Sequence, residues 1–347
     1  MPDQPPFQIG GTTVAPGTRQ TVELPVSVMS DHTPVTLSVQ VIHGRRPGPR
    51  VFVSAAVHGD EVIGVEIARR LMRAPQIRTL RGTLMVIPIV NSFGFLARSR
   101  YLPDRRDLNR SFPGSPRGSL AARLAHIFMA EIVTKADFGI DLHSAAIHRT
   151  NLPQIRVSPR SPRTMDLAEA FGAPLILTAP LREGSLRQAA QDEGVDILLY
   201  EAGEGLRFDE TGVRAGVTGI LRVLRTLDMI PARGVTPAKS PPARASTSRW
   251  VRAPVGGLFR TFRAIGSYVE KGMLLGVVSD PFGKIGEELK APAPGLIIGR
   301  TNLPVVNEGD GLFHIADISA RAHRAAGLDD LDTAIEADPL FDEDEII

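Results

Sequence analysis

The sequence predicts an α/β fold: a mixed sheet with helices on both faces, and then a smaller β module. Two observations carry this. Between residues 50 and 230, short apolar runs alternate with segments of helical period. These runs are apolar throughout, as strands covered on both faces are. After residue 249 the chain changes to short β-like runs punctuated by glycine. A length of 347 residues leaves room for two domains.

Each element has its own signal. Residues 1–45 read as N-terminal strands joined to the larger α/β unit, because 20–28 and 34–42 alternate around a Ser-Asp-His-Thr turn, as a hairpin does. In the unit 46–230, strands are expected at 50–57, 83–90, 136–143, 173–179 and 195–203, and helices at 61–74, 119–136, 185–194 and 211–230. Residues 231–249 are rich in Pro, Ser, Ala and Arg without an apolar period, and read as a linker or exposed excursion. The β domain, 250–318, holds a weak repeat: APVGGLF (253–259) resembles APAPGLI (291–297), and VEKGMLLG (269–276) resembles VNEGDGLF (306–313). Two related halves across 247–318 are expected. Residues 319–347 form an acidic tail, with nine acidic and no basic residues from Leu328 onward. It reads as a mobile end open to an interaction role.

Composition narrows the chemistry. With no cysteine, disulfides, cysteine nucleophiles, iron–sulfur clusters and thiolate zinc sites are excluded, so any metal is held by His, Asp and Glu. The longest apolar runs, such as 82–90, fall well short of the roughly 20 residues a membrane helix needs. The N-terminus has neither a basic nor an apolar signal region, and a cytoplasmic protein is expected. Of 40 basic residues 35 are Arg, but they are scattered and accompanied by only three Tyr and one Trp. Nucleic-acid binding is not expected. Arg is instead the natural partner of a carboxylate, because its fork matches two oxygens.

Four motifs carry the chemistry. His58 and Glu61, in HGDE at a strand-to-helix junction, have a spacing that faces both side chains the same way on a first helical turn, where they can share a zinc ion. Capping of that helix by Asp60 or Glu61 is the alternative. Asp141 and His143, two apart at a strand end, project to one face, so the carboxylate can support a metal or its ligands. Arg100-Tyr101 and the run from Arg105 to Gly114 form a loop dense in guanidinium groups. Glu201 ends the apolar run VDILLYEAG, where a carboxylate needs a metal, an Arg or a raised pKa. Strand C-terminal ends are where open α/β sheets place ligands.

In this order HGDE, DLNRSFPG, DLH and the strand-end glutamate resemble the succinylglutamate desuccinylase/aspartoacylase family, related to zinc carboxypeptidases, over roughly residues 45–230. The C-terminal part resembles the barrel-sandwich β domain of its bacterial members. The resemblance implies a zinc-carboxypeptidase-like sheet and one zinc ion per chain on His58, Glu61 and His143. It implies Glu201 as the general base and acid, and Asn109 and Arg110 as the holders of a substrate α-carboxylate. Arg100 matches the residue that polarises the scissile carbonyl, with Arg98 and Arg106 left open for that place. Arg187 matches a further substrate-side arginine. Asp141 stands behind the metal ligands, and His148 is read as pocket lining or surface. The implied activity is zinc-dependent hydrolysis of an N-acyl amino acid or related small amide bearing a carboxylate. The alternative is a metallocarboxypeptidase acting on peptides. A carrier role for Lys284, in DPFGKIGEE, lacks the flanking residues of biotinyl and lipoyl sites. No membrane partner is expected, and a homo-oligomer is left open.

Overall fold

The computed structural model describes residues 4–158, 162–284 and 286–328. The acidic run beyond Leu328 lies outside the described residues.

Thirteen strands form one mixed sheet. Its main path runs from the hairpin Thr18–Val28 and Pro34–His43 through Arg81–Ile87, Arg46–Ala55, Phe138–His143, Ile197–Gly203 and Arg149–Val157. It continues into Gly295–Thr301, Gly311–Ala316 and Ser248–Arg252. The four strands from Arg81–Ile87 to Ile197–Gly203 are parallel, and antiparallel pairs flank them.

Side-chain alternation divides the core in two. Val51, Val53 and Ala55 of one strand face the helices Ile63–Arg73, Pro162–Phe171 and Glu210–Thr226. Phe52, between them in sequence, points the other way, toward Leu120–Glu131 and Leu186–Asp192. Both faces are therefore covered, and the central strands bury nearly every residue. The expected helix at 119–136 is shorter: Ser119 caps it through the amide of Ala122, and after Glu131 the chain tightens into a single 3-10 turn, Val133–Lys135.

Several elements lie where the sequence pattern showed none: the strand Arg149–Val157 and the helices Pro162–Phe171, Ser92–Ala97 and Ala320–Ala325, the last within the segment 319–347 expected as a mobile tail. Arg149–Val157 carries Arg149, Asn151, Gln154 and Arg156, and Pro153 at its centre. Pro153 removes no ladder bond. On one side the register jumps from Gln154 opposite Glu201 to Asn151 opposite Gly203, a bulge that contains it. On the other side, residues 149–151 pair with Gly295–Thr301 and 154–157 pair with Leu175–Thr178, so Pro153 falls in the gap between two partners. The helix Pro162–Phe171 then packs Leu167 and Phe171 into the core.

The C-terminal strands realise the internal repeat. Ser248–Arg252, Gly257–Thr261, Tyr268–Val269 and Leu274–Ser279 correspond to Gly286–Lys290, Gly295–Thr301, Val305–Val306 and Gly311–Ala316. Every pairing is matched by its exchanged equivalent. Gly257 opposes Val306 as Gly295 opposes Val269, and Leu258 opposes Ser279 as Leu296 opposes Ala316. Each half-sheet thus takes strands from both repeats. One half is a separate four-stranded sheet, and the other continues the large sheet through the pairing of Gly295–Thr301 with Arg149–Thr150–Asn151. Among the described residues, no helix is long and apolar enough to cross a membrane.

Candidate active site

The rim at the C-terminal ends of the parallel strands carries a cavity of about 340 Å³. At its base His58, Glu61 and His143 are buried, with one ligand atom from each within 4.8 Å of the others. Glu61 accepts from both rings: its Oε1 lies 2.7 Å from His58 Nδ1 and its Oε2 lies 2.7 Å from His143 Nδ1. Both far nitrogens are held by aspartates, His58 Nε2 by Asp107 at 3.0 Å and His143 Nε2 by Asp141 at 2.8 Å. Outer carboxylates of this kind fix ring orientation and raise ligand basicity. Two imidazoles and one carboxylate, buried and convergent, are a donor set that suits zinc and leaves a coordination position open.

Electrostatics tie the cluster together. Burial opposes charge on both histidines, but Glu61 with Asp107 and Asp141 with Glu61 outweigh it, and both pKa values are raised. Burial likewise opposes the Glu61 carboxylate, and the two histidines overcome this and hold its pKa far below the usual range.

Local structure explains the placement and corrects one expectation. The helix begins at Ile63, so His58 and Glu61 are not on its first turn. They lie in the preceding loop, closed by the Glu61 amide donating to the His58 carbonyl at 3.2 Å. Capping does not explain the motif either. The N-cap is Val62, with no side-chain bond, and Asp60 Oδ1 has no partner among the described residues. Gly59 is required by close approach: a Cβ there would lie 1.9 Å from the Gly94 carbonyl carbon. Asp141, fully buried, has two partners, His143 and the Ser54 hydroxyl, which donates at 2.7 Å from the next strand.

Of the three arginines open for the carbonyl place, only Arg100 lines the cavity. It donates to Glu61 at 3.3 Å and to Asp107 at 3.0 Å, whereas Arg98 and Arg106 are exposed. Asn109 is buried, and its Oδ1 accepts from the Leu186 amide at 2.9 Å, joining the arginine loop to the start of the helix Leu186–Asp192. Arg110 also lines the cavity. Glu201 stands directly opposite His143 in the adjacent parallel strand. Its Oε2 accepts from Asn151 Nδ2 at 2.5 Å, and Arg156 lies 3.5 Å from Oε1. Arg187 lines the same cavity, and burial, aided by Arg156, pushes its pKa down to about 10. His148 is exposed and outside the cavity.

Sequence reasoning missed Asp107, Asn151, Arg156, Arg300 and Trp250. Asp107 directly precedes the Leu-Asn-Arg run and offered a signal, since an Asp beside two substrate-type residues invites a partner. Asn151 and Arg156 sit on the unforeseen strand. Trp250 and Arg300 come from the C-terminal repeat, and nothing in its local pattern shows that it borders the cavity.

A model of the succinylglutamate desuccinylase/aspartoacylase catalytic domain matches residues 47–227, more than half of the chain. The chain belongs to this family. Among curated relatives, it is 26% identical over 296 residues to the N-alpha-acetyl-L-2,4-diaminobutyric acid deacetylase of Halomonas elongata, covering 82% of this chain and 86% of that one. Among solved structures, a succinylglutamate desuccinylase/aspartoacylase from Rhodobacter sphaeroides is 26% identical with a TM-score of 0.77, covering 87% of this chain and 96% of that one. The product-bound ectoine utilization protein EutE (DoeB) of Ruegeria pomeroyi shares the fold at 24% identity and a TM-score of 0.79, covering 91% and 99%. The family's mixed sheet with a small C-terminal β region is the architecture described above.

Proposed function

We propose that this family member is a zinc-dependent hydrolase that removes the acyl group from an N-acyl amino acid or related small amide. The observation that carries this reading is the buried His58–Glu61–His143 cluster with Glu201 beside it, one strand away, at the rim of one cavity. Residues 46–230 are the catalytic unit in this reading, and residues 250–318 supply one wall.

Zinc, when bound, supplies a Lewis acid that activates water and polarises the amide carbonyl. Glu201 takes the proton of the attacking water and returns one to the departing nitrogen. Asn151 and Arg156 hold the Glu201 carboxylate in place for both transfers. Arg100 stabilises the oxyanion that develops on the carbonyl oxygen. Asn109 and Arg110 hold the α-carboxylate. Asp107 and Asp141 fix the imidazole rings.

The size of the cavity favours small amides over peptides. About 340 Å³, walled on one side by Trp250 and Arg300, is at the low end for ligand sites. Glu201→Gln should keep its metal and fold yet lose at least about a hundredfold in kcat. A near-normal kcat refutes the base role, and loss of metal makes Glu201 a ligand instead. Metal analysis of the purified protein should give about one zinc per chain, sharply reduced in His143→Ala. Full retention in both His58→Ala and His143→Ala overturns the ligand set.

A further inference from the structure

Asn151 donates to Glu201, and its own surroundings decide whether it can. It is buried, and it lies between two strands. On one side it opposes Gly203, past the bulge that follows Glu201. On the other it opposes Gly299, which belongs to the C-terminal repeat. Gly299 is itself at an irregular place, because the register between Gly295–Thr301 and Gly311–Ala316 shifts between Ile297 and Gly299.

Gly299 is not needed there for its backbone freedom, since its φ lies outside the left-handed region. What it supplies is space. A Cβ at Gly299 would lie 2.9 Å from Asn151 Oδ1, closer than nonbonded atoms pack. The next obstacles are milder, His314 Cβ at 3.2 Å and the Thr150 carbonyl oxygen at 3.6 Å. The first obstacle is thus the end of a side chain, which can turn while the strands stay paired. The carboxamide has its oxygen toward Gly299 and its nitrogen on Glu201 Oε2. Only the nitrogen end can donate to a carboxylate. A turn that frees the oxygen therefore carries the donor away from Glu201, leaving Arg156 at 3.5 Å as its remaining neighbour of opposite charge.

We propose that Gly299 is a positioning residue for the catalytic base: by leaving room for the Asn151 carboxamide, it keeps the donor to Glu201 in place. The C-terminal repeat thereby acts on the proton-transfer group without Gly299 touching the substrate. This rests on the reading of Glu201 as the base given above.

Four zinc-loaded, full-length proteins test it: wild type, Gly299→Ala, Asn151→Ala and the double variant, each assayed on a panel of N-acetyl and N-succinyl amino acids. Each single change should lower kcat about tenfold to a hundredfold, the worth of a hydrogen bond to a charged group. KM should stay within about twofold, because the groups that hold the α-carboxylate are untouched. The double variant should be no slower than Asn151→Ala, since the added methyl then has no carboxamide to displace. Losses that multiply in the double variant, or an unchanged kcat in either single variant, overturn the proposal. So does a Gly299→Ala chain that fails to fold, which would make the glycine a requirement of the sheet. A crystal structure of Gly299→Ala gives an answer independent of turnover. Asn151 Nδ2 should leave Glu201 while residues 299 and 151 remain paired, and an intact contact overturns the proposal. Displacement in the crystal, with no cleavage of any N-acyl amino acid by the wild type, counts against the hydrolase reading alone.

Discussion

His314 is a buried imidazole whose ring stacks on Trp250 at 4.5 Å and 6° and whose Nε2 meets the Ser248 hydroxyl at 2.8 Å. Burial, with Arg156 nearby, lowers its pKa from 6.5 to about 4. A folded-state pKa below the unfolded one means that the stabilisation is complete above pH 6.5 and drains away as pH falls toward 4. The loss amounts to at most about 3 kcal/mol. His314→Phe keeps the stack but cannot titrate, so its stability should fall less steeply than wild type between these pH values in the same metal state. Parallel curves from denaturant titrations would reject this. At this scale His58, just beyond its strand, and the strand-end His143 and Glu201 were legible, because each follows an apolar run with a group that needs a partner. Asp107 offered a hint but not its partner, since His58 is 49 residues away and only the folded arginine loop brings them together.

The loop that carries His58 and Glu61 depends on two elements fitting closely. Its residue Gly59 faces the backbone of the helix Ser92–Ala97, where a Cβ would also come within 2.2 Å of the Phe95 amide nitrogen. Backbone cannot rotate aside as a side chain can. Gly59→Ala should therefore displace the loop, cost about 1–3 kcal/mol, and reduce metal content. Wild-type thermal stability together with full metal content would show that the approach is not limiting. The parallel strands and most helices were legible as elements, because a strand buried on both faces is apolar at every position. Arg149–Val157 was not, because its polar residues line a cavity and its proline sits in a bulge. The bulge also turns Asn151 toward Glu201, an effect that no period-2 reading reveals.

For the whole molecule, the decisive feature is that the large sheet does not stop where the sequence changes character. Strand Gly295–Thr301 pairs with Arg149–Thr150–Asn151, and the C-terminal repeat contributes Arg300 and Trp250 to the cavity. A chain ending after residue 245 would leave that strand edge open and the cavity without a wall. It should aggregate in size-exclusion chromatography, and a monodisperse, metal-binding fragment would contradict this. The change in composition after residue 249 was legible, but the seam was not, because sheet pairing over more than 140 residues leaves no local trace.

The exchanged strands of the repeat have a separate consequence. Neither repeat can complete a half-sheet from its own strands, since Gly257–Thr261 needs Val305–Val306 and Gly295–Thr301 needs Tyr268–Val269. Two copies of one repeat, closed around a two-fold axis, would satisfy every pairing now made between strands of the module. The module is in effect one homodimer written into a single polypeptide. Because the two halves are encoded separately they can differ, and here one flanks the large sheet while the other stands on its own.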